Sequence, residues 1–372
     1  MLSVYSGGCM VNKSHYSFNE TIRVRYSVMA EWTARIFRAE GLSVEDADLV
    51  ADTLVAADAR GVYSHGVLRI SLYTGRIEKG CVAVDAKPEL VVSSGATGVV
   101  DGHNAMGQTV GVFAMQTAIA KAGEFGVSFV TARGSNHYGT CAYYTMMALP
   151  ENMIGFSSSI GGGNLMAPWG GTDARIGNNP FSIAIPALHR YPVVLDMAQS
   201  VVAKGKLVMA TKTRTPIPDT WAFDSDGLPT TDAEEGIRGT IRPIAEYKGY
   251  GLAVMVGFLS SLVSNAAIGS ALKDVYEDFS GGLNKGQMFA AVDISRMDDV
   301  MAFKERVDRE IDFIKASPKA PGVEEIYLPG EPEAKAWEMA IACGIEYPVE
   351  VIQEVQGISE RLGIPVPDGI YS

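Results

Sequence analysis

The chain has 372 residues, of which 47% are apolar and 20% charged, and it carries a formal net charge of −12. That length exceeds what one core usually holds, so two lobes or one large α/β domain with additions is expected, and the composition excludes a disordered chain. An acidic balance with no run of Lys and Arg excludes recognition of a nucleic-acid backbone, which needs clustered cations.

Residues before about Tyr26 read as a loosely attached extension, with no apolar stretch of signal-peptide length. From about Arg25 to Gly61 the pattern is helical, with Ser43 as an N-cap and Asp46 three residues on, a variant of the capping box. A second helix is expected from Ser64 through Lys79, closed by Gly80. Strand-like runs follow at Glu89 to Val92, Gly98 to Asp101 and Val127 to Ala132, the last two separated by a helical stretch from Gly107 to Phe125. Further strands are expected at Met153 to Ser159, Phe181 to Ile185 and Pro192 to Asp196, with a Gly- and Pro-rich loop from Gly161 to Gly171. Ser200 to Thr211 reads as helix, and Thr213 to Asp232 as turns.

The apolar stretch Gly251 to Ala267 is interrupted by Gly257, Ser260, Ser261, Ser264 and Asn265, and is shorter than the roughly 20 apolar residues of a membrane span. It reads as a buried core helix, and no membrane association is expected. A strand at Met288 to Ile294, a charged helix from Met297 to Lys315 and a Pro-rich segment precede the last helices. Alternation of strand and helix indicates α/β architecture. The cysteines Cys9, Cys81, Cys141 and Cys343 are scattered without CxxC spacing, which argues against a disulfide framework or a metal site and for a reducing, cytoplasmic setting.

Four segments carry chemistry. Asp58 to Arg69 places Ser64, His65, Arg60 and Arg69 within three helical turns, in a chain with only five histidines. An imidazole can exchange a proton with a substrate oxygen while a guanidinium grips a carboxylate in bidentate fashion. The plainer alternative is a capping Ser, a structural His and a surface Arg. Gly134 to Gly139 sets His137 in a polar loop after a strand, where α/β sheets commonly place sites; an ordinary βα turn is the alternative. Asp196 closes an apolar strand and can orient a histidine or cap the following helix, and spacing alone favours the cap. Tyr247 to Gly251 puts Lys248 at a helix N-terminus, a favourable place for a phosphate or carboxylate, or else a glycine turn with a solvated Lys.

Absences narrow the field. No GxGxxG follows a strand, since Gly161-Gly162-Gly163 and Gly249-Tyr250-Gly251 both fail at the last position, and neither GxxxxGK[ST] nor HExxH occurs.

The segments Asp58 to Arg69, Ser135 to Gly139, Pro168 to Gly171, Gly177 to Phe181, Val194 to Ala198, Ile217 to Trp221, Lys248 to Gly251 and Leu328 to Glu331 occur in this order across Tyr26 to Pro367. Together they resemble the malate/L-lactate dehydrogenase family, which also includes ureidoglycolate and sulfolactate dehydrogenases. The resemblance implies the family's three-layer α/β fold with a mixed sheet and a non-Rossmann cofactor domain. It implies an extension over 1–25, a helical part with substrate residues over 26–105, a central cofactor domain over 106–300 and a helical part over 301–372 that packs back on the first.

It further implies NAD(P)-dependent oxidation of a 2-hydroxy acid, or reduction of the 2-oxo acid, by a homodimer or higher assembly. Ser64 and His65 match one proton-donor pair with Asp196 as relay, Arg69 the carboxylate clamp, and His137 the acid/base of the ureidoglycolate branch. Asp196, Met197, Ala198, Lys248, Gly330 and Glu331 match cofactor contacts, with Gly161 and Gly162 nearby. His137 is preferred as acid/base, with His65 hydrogen-bonding the substrate oxygen. NAD is expected over NADP, because Glu331-Pro332-Glu333 would repel a 2′-phosphate. Branch markers are mixed: Ile217 to Trp221 resembles ureidoglycolate dehydrogenases, whereas Asn136-His137-Tyr138 resembles malate and lactate enzymes. Alternatives are a cyclic-imine or diketo-sugar-acid reductase of the same family, or a non-catalytic relative that binds a carboxylate.

Overall fold

The structure is a computed structural model and describes residues 20–370. In chain order it contains β1 (Thr21–Val24), α1 (Tyr26–Ala39), α2 (Val44–Ala59), α3 (Ile70–Glu78), β2 (Glu89–Ser94), β3 (Thr97–Asp101) and α4 (Gly107–Phe125). There follow β4 (Phe129–Ser135), α5 (Cys141–Met146), β5 (Met153–Ser159), β6 (Phe181–Ile185), β7 (Val193–Met197), α6 (Lys204–Thr213), β8 (Ala222–Phe223) and β9 (Pro229–Thr230). The remainder are α7 (Ala233–Arg238), β10 (Thr240–Ile241), α8 (Tyr247–Gly257), β11 (Lys285–Asp293), α9 (Val300–Lys315), α10 (Glu331–Cys343), β12 (Ile345–Pro348) and α11 (Val349–Arg361). These elements fall into two compact units, residues 1–74 with 331–372, and residues 75–330.

The first unit is built from both ends of the chain. β1 pairs antiparallel with β12, from Thr21 opposite Pro348 to Val24 opposite Ile345. This strand lies in the segment expected to be loosely attached; residues 1–19 of that segment lie outside the described residues. α1 buries Met29, Trp32, Ile36 and Phe37 at helical spacing, and α2 buries Val50, Leu54 and Val55. Each such side chain contributes roughly 1.5–3 kcal/mol on burial. Trp32 Nε1 donates to Ser359 Oγ at 2.8 Å, tying α1 to α11 inside the core. At the start of α2, the Ser43 hydroxyl accepts the Asp46 N–H and donates to the Asp46 carboxylate, the expected capping arrangement.

The second unit holds a seven-stranded mixed sheet in the order β2-β3-β4-β11-β5-β6-β7. Only β3 and β4 run parallel, as a connection through the 19-residue helix α4 permits; the other neighbours are antiparallel. One face is covered by α4 and α5, where Val110, Ala114, Met115 and Ala118 meet Val130, Ala132, Phe289 and Ala291. On the other face the π-helical turn after α8, Phe258–Leu262, bonds the sheet through Ser260 Oγ and Ser158 Oγ at 2.8 Å. The sheet and its two covers make three layers, as the resemblance implies.

Four expectations are corrected. The helix expected from Ser64 through Lys79 is two 3-10 turns, Tyr63–His65 and Val67–Arg69, followed by α3. The turn-rich stretch after Thr213 holds β8 and β9, which with β10 form a small three-stranded sheet. The expected buried core helix begins four residues earlier, and on the chain alone leaves Leu252, Met255 (56%), Phe258 (47%), Leu262 (52%) and Val263 exposed. Cys343 is disulfide-bonded, whereas Cys81 and Cys141 are free, so the expectation of no disulfide framework is corrected at Cys343.

Among the described residues no helix is long and apolar enough to cross a membrane, and no group of His, Cys, Asp and Glu could hold a metal ion.

Candidate active site

In the first unit, the geometry of Ser64, His65 and Arg69 follows from a buried carboxylate. Asp58, 2% exposed near the end of α2, accepts the Val67 N–H at 2.9 Å. A Cβ on Gly66 would lie 1.6 Å from Asp58 Oδ1, so only glycine can occupy the junction of the two 3-10 turns. Burial drives the Asp58 carboxyl well above the usual carboxylate range, against the opposing pull of the Val67 N–H and the Tyr347 hydroxyl.

The turn before Gly66 sets Ser64 Oγ 2.9 Å from His65 Nδ1, and Arg69 Nε donates back to the Ser64 carbonyl at 2.6 Å. Three candidate residues are thus held on one loop, by one side-chain bond and one bond to the backbone. His65 keeps part of its surface, yet enough protein surrounds it for burial, with Arg69 adding repulsion, to lower its pKa to about 3. This imidazole is neutral at physiological pH. Its Nδ1 meets Ser64 Oγ, and which of the two atoms donates follows from the tautomer.

In the second unit, the loop after β4 is held from several sides. Asn136 is buried and its Nδ2 donates to the Ala105 carbonyl at 2.8 Å. Gln287 Nε2 donates to the Asn136 carbonyl at 3.3 Å. A Cβ on Gly107 would strike the carbonyls of Asn136 and His137 at 2.4 Å, so α4 abuts this loop through glycine. Tyr138 stacks on Tyr144 with ring centroids 4.5 Å apart, and Tyr144 Oη donates to the Tyr138 carbonyl at 2.5 Å. His137 stands part-exposed between these anchored neighbours.

Asp196 lies in β7 with its carboxylate exposed, and Oδ2 accepts the Ala142 N–H at 2.7 Å. It therefore caps a helix, but the helix is α5 and not the one that follows it in the chain. α5 lacks a side-chain cap of its own at Thr140. Met197 and Ala198, next along, are half-buried. The edge of β7 is covered by chain from further on, since the Val194 N–H donates to the Pro329 carbonyl at 2.9 Å. Gly330, at φ +84°, has no room for a Cβ, which would meet the Val194 carbonyl at 2.7 Å. Glu331 belongs to the first unit, where it opens α10, is 8% exposed and pairs with Lys335 at 3.4 Å.

The glycine loop after β5 is gripped at Gly161, whose N–H donates to Asn179 Oδ1 at 2.9 Å and whose carbonyl accepts from Lys285 Nζ at 2.5 Å. Asn179 Nδ2 also donates to the Ala253 carbonyl at 2.7 Å, linking this loop to α8. Gly161 and Gly163 are glycines because Cβ atoms there would strike Asn178 and Asp274 at 2.5 and 2.8 Å. Gly162 between them keeps a half-exposed face.

Lys248 is exposed in the first turn of α8. The chain enters that helix through Ala245 and Glu246, both at positive φ, and through Gly249, whose Cβ would strike the Ile244 carbonyl at 2.0 Å. An exposed ammonium at a helix N-terminus and an accessible glycine backbone underlain by a buried cation form a donor set that fits an anionic dinucleotide. Lys285 and Asn179 carry no signal of these roles in the sequence. A lone Lys at the start of an apolar run reads as a strand-end cation, and only its burial reveals otherwise.

Among known proteins, the model of the malate/L-lactate dehydrogenase family matches residues 24–356. A malate dehydrogenase from Pyrococcus horikoshii is 36% identical over 92% of this chain and 96% of its own. Its solved structure superposes with a TM-score of 0.86 at 35% identity, covering 95% and 99% of the two chains. An L-sulfolactate dehydrogenase from Methanocaldococcus jannaschii is 35% identical over 90% and 96%, and the structure of sulfolactate dehydrogenase from that organism gives a TM-score of 0.87 at 33% identity over 94% and 100%. A ureidoglycolate dehydrogenase (NAD(+)) from Escherichia coli K12 is 32% identical over 84% and 89%.

Proposed function

The chain belongs to the malate/L-lactate dehydrogenase family, and from that premise we propose that it oxidises a small 2-hydroxy acid of the malate, L-lactate or ureidoglycolate type, or reduces the matching 2-oxo acid, with NAD. Membership makes it an oxidoreductase acting on CH–OH donors with a nicotinamide cofactor. In this reading Arg69 grips the substrate carboxylate with its guanidinium, while Nε stays on the Ser64 carbonyl. Ser64 and His65 hydrogen-bond the oxygen on C2. His137 takes the hydroxyl proton, or returns it in the reverse direction. The low pKa of His65 supports this division, because a histidine that stays neutral is a poor proton store.

Asp196 sets the end of β7 and the start of α5, and so the framework around His137. Gly161, Gly162, Met197, Ala198, Lys248 and Gly330 would hold the dinucleotide, with Glu331 disfavouring a 2′-phosphate. When bound, the cofactor supplies the hydride acceptor. The protein's own contribution is orientation and charge placement.

The observation that carries the proposal is the loop that sets Arg69 against Ser64 and His65 behind Gly66. The test is a spectrophotometric screen over malate, lactate, sulfolactate and ureidoglycolate with NAD and NADP, with a diketo sugar acid and a cyclic imine alongside. Turnover of a 2-hydroxy acid that falls about 10²–10⁴-fold in His137→Gln is expected. Turnover of the imine or sugar acid alone would move the enzyme to the reductase reading, and no turnover with any substrate would refute both.

A homodimer is part of the same reading. The exposed apolar face of α8 and its following turn is a surface that a second copy would cover, and light scattering in solution reads the assembly directly.

A further inference from the structure

Two buried cations flank the glycine loop of the second unit, and neither takes part in the proton or hydride transfer proposed above. Arg76, 2% exposed, donates to the carbonyls of Val275 (3.1 Å), Asp278 (2.8 Å) and Gly281 (3.0 Å). The Val275 N–H in turn donates to the Gly162 carbonyl at 2.9 Å. Lys285, 1% exposed, donates to the adjacent Gly161 carbonyl. Across the sheet Lys285 pairs with Ser135, two residues before His137. The residue after it, Gly286, accepts the Ile160 N–H at 3.0 Å and leaves no room for a Cβ beside Ser261 (2.3 Å). Lys285 thus sits where the glycine loop, the His137 strand and the turn after α8 meet.

Burying an ammonium costs several kcal/mol unless its charge is used or matched. A methionine or leucine would fill the volume more cheaply. We propose that Lys285 is a positioning residue for the cofactor: its ammonium holds the Gly161–Gly163 loop in place and lends it the positive charge that draws the anionic dinucleotide. This rests on the reading that the loop contacts a nicotinamide cofactor.

Titration supports it. Burial lowers the Lys285 pKa to about 7, with Asp274 opposing and Arg76 adding to the shift. Further titratable groups on the packed elements are Lys204, which pairs with Asp274 at 3.8 Å, and His137, two residues beyond the cross-strand partner Ser135. Because the pKa is lowered, the charge is present below pH 7 and lost above it. An anion bound at the loop favours the protonated form, so the cofactor binds more tightly on the acid side and takes up a proton when it binds near pH 7.5.

The test uses the whole protein with NADH, followed by fluorescence titration from pH 6 to 9 and by calorimetry in two buffers of different ionisation heat. Wild-type affinity should weaken about tenfold across this range, the effect of one charge acting over roughly 10 Å at an effective dielectric near 20. Lys285→Met should bind NADH about tenfold more weakly at pH 6, with no pH slope and no proton uptake, by the same Coulomb reckoning. Its apo melting temperature should be no lower than wild type, a split that a merely structural lysine would not give. Lys285→Arg, which cannot titrate, should restore affinity at pH 6 and stay flat to pH 9.

If Lys285→Met fails to fold, proton uptake by the wild type and the Lys285→Arg profile decide the matter. A pH slope shared by wild type and either variant assigns the titration to His137 or another group and overturns the proposal. If NADH and NADPH both fail to bind wild type at every pH, the cofactor reading and this inference fall together. Pronounced binding with an unchanged Lys285 variant sinks the inference alone.

Discussion

Gly66→Ala is the most demanding test of how the substrate loop is built. The added methyl would lie 1.6 Å from Asp58 Oδ1, 2.1 Å from Cγ and 2.4 Å from Oδ2, all inside any tolerable contact. Relief requires movement of more than an ångström, either by the Asp58 carboxyl, which sits 2% exposed in the core, or by the turns on both sides of Gly66. The first route breaks the buried bond to the Val67 N–H, costing about 1–3 kcal/mol. The second overpacks the core at a cost of about 1–3 kcal/mol and shifts Ser64, His65 and Arg69 from register. Destabilisation of roughly 1–3 kcal/mol is expected by whichever route the protein takes, a large share of typical stability. kcat/KM should fall about 10²-fold from misplacement alone in whatever fraction folds.

Urea unfolding gives the first quantity and steady-state rates the second. Adding Asp58→Ala should rescue part of the loss, because it removes the atoms that the methyl strikes. A coupling of about 1–3 kcal/mol toward stability is expected in the double-mutant cycle. A Gly66→Ala protein within about 0.5 kcal/mol of wild type and fully active would refute the steric account.

His65 predicts a pH dependence. Its folded pKa of about 3 lies below the ordinary 6.5, so the unfolded chain binds a proton that the native protein does not. Stability from this residue is complete above about pH 6.5 and is lost as pH falls toward 3; wild type should therefore converge on or drop below His65→Gln in acid thermal melts. Parallel melting curves from pH 7 to 4 would show that His65 does not titrate as described. Asp196→Ala removes the distant cap of α5 and should cost about 1 kcal/mol, with Asp196→Asn recovering part of it. Equal denaturant midpoints for wild type and Asp196→Ala would rule that cap out.

Local signals carried α4, β5 and β6, whose limits agree with the sequence pattern. Gly126, in the left-handed region at φ +86°, closes α4 in the way helix-ending glycines do. The reading fails where a distant contact overrides local preference. Ser64 to Arg69 has helical spacing, but the Asp58 carboxyl under Gly66 divides it into two 3-10 turns, and nothing near Gly66 in the chain announces that. β1 is four residues long and depends on a partner more than 320 positions away. α8 starts before its glycines because Ala245 and Glu246 adopt a strained turn that propensity would not place there. At the candidate site, the residue types at Ser64, His65, Arg69, His137 and Lys248 are visible in the sequence as chemistry. The supports are not, because the Asn179 bracket, the Asp196 cap on α5 and the burial of Lys285 exist only through folding.

The pairing of β1 with β12 and the bond from Trp32 to Ser359 impose an order on biosynthesis. Residues 75–330 can collapse as they leave the ribosome, whereas the loop bearing His65 and Arg69 must wait, without its sheet partner or α11, until some 270 further residues have been translated. During that interval Trp32, Ile36 and Phe37 are presented to solvent or to chaperones as an unfinished apolar surface. Stalled or truncated synthesis would therefore leave a central unit that folds and an amino-terminal segment that aggregates.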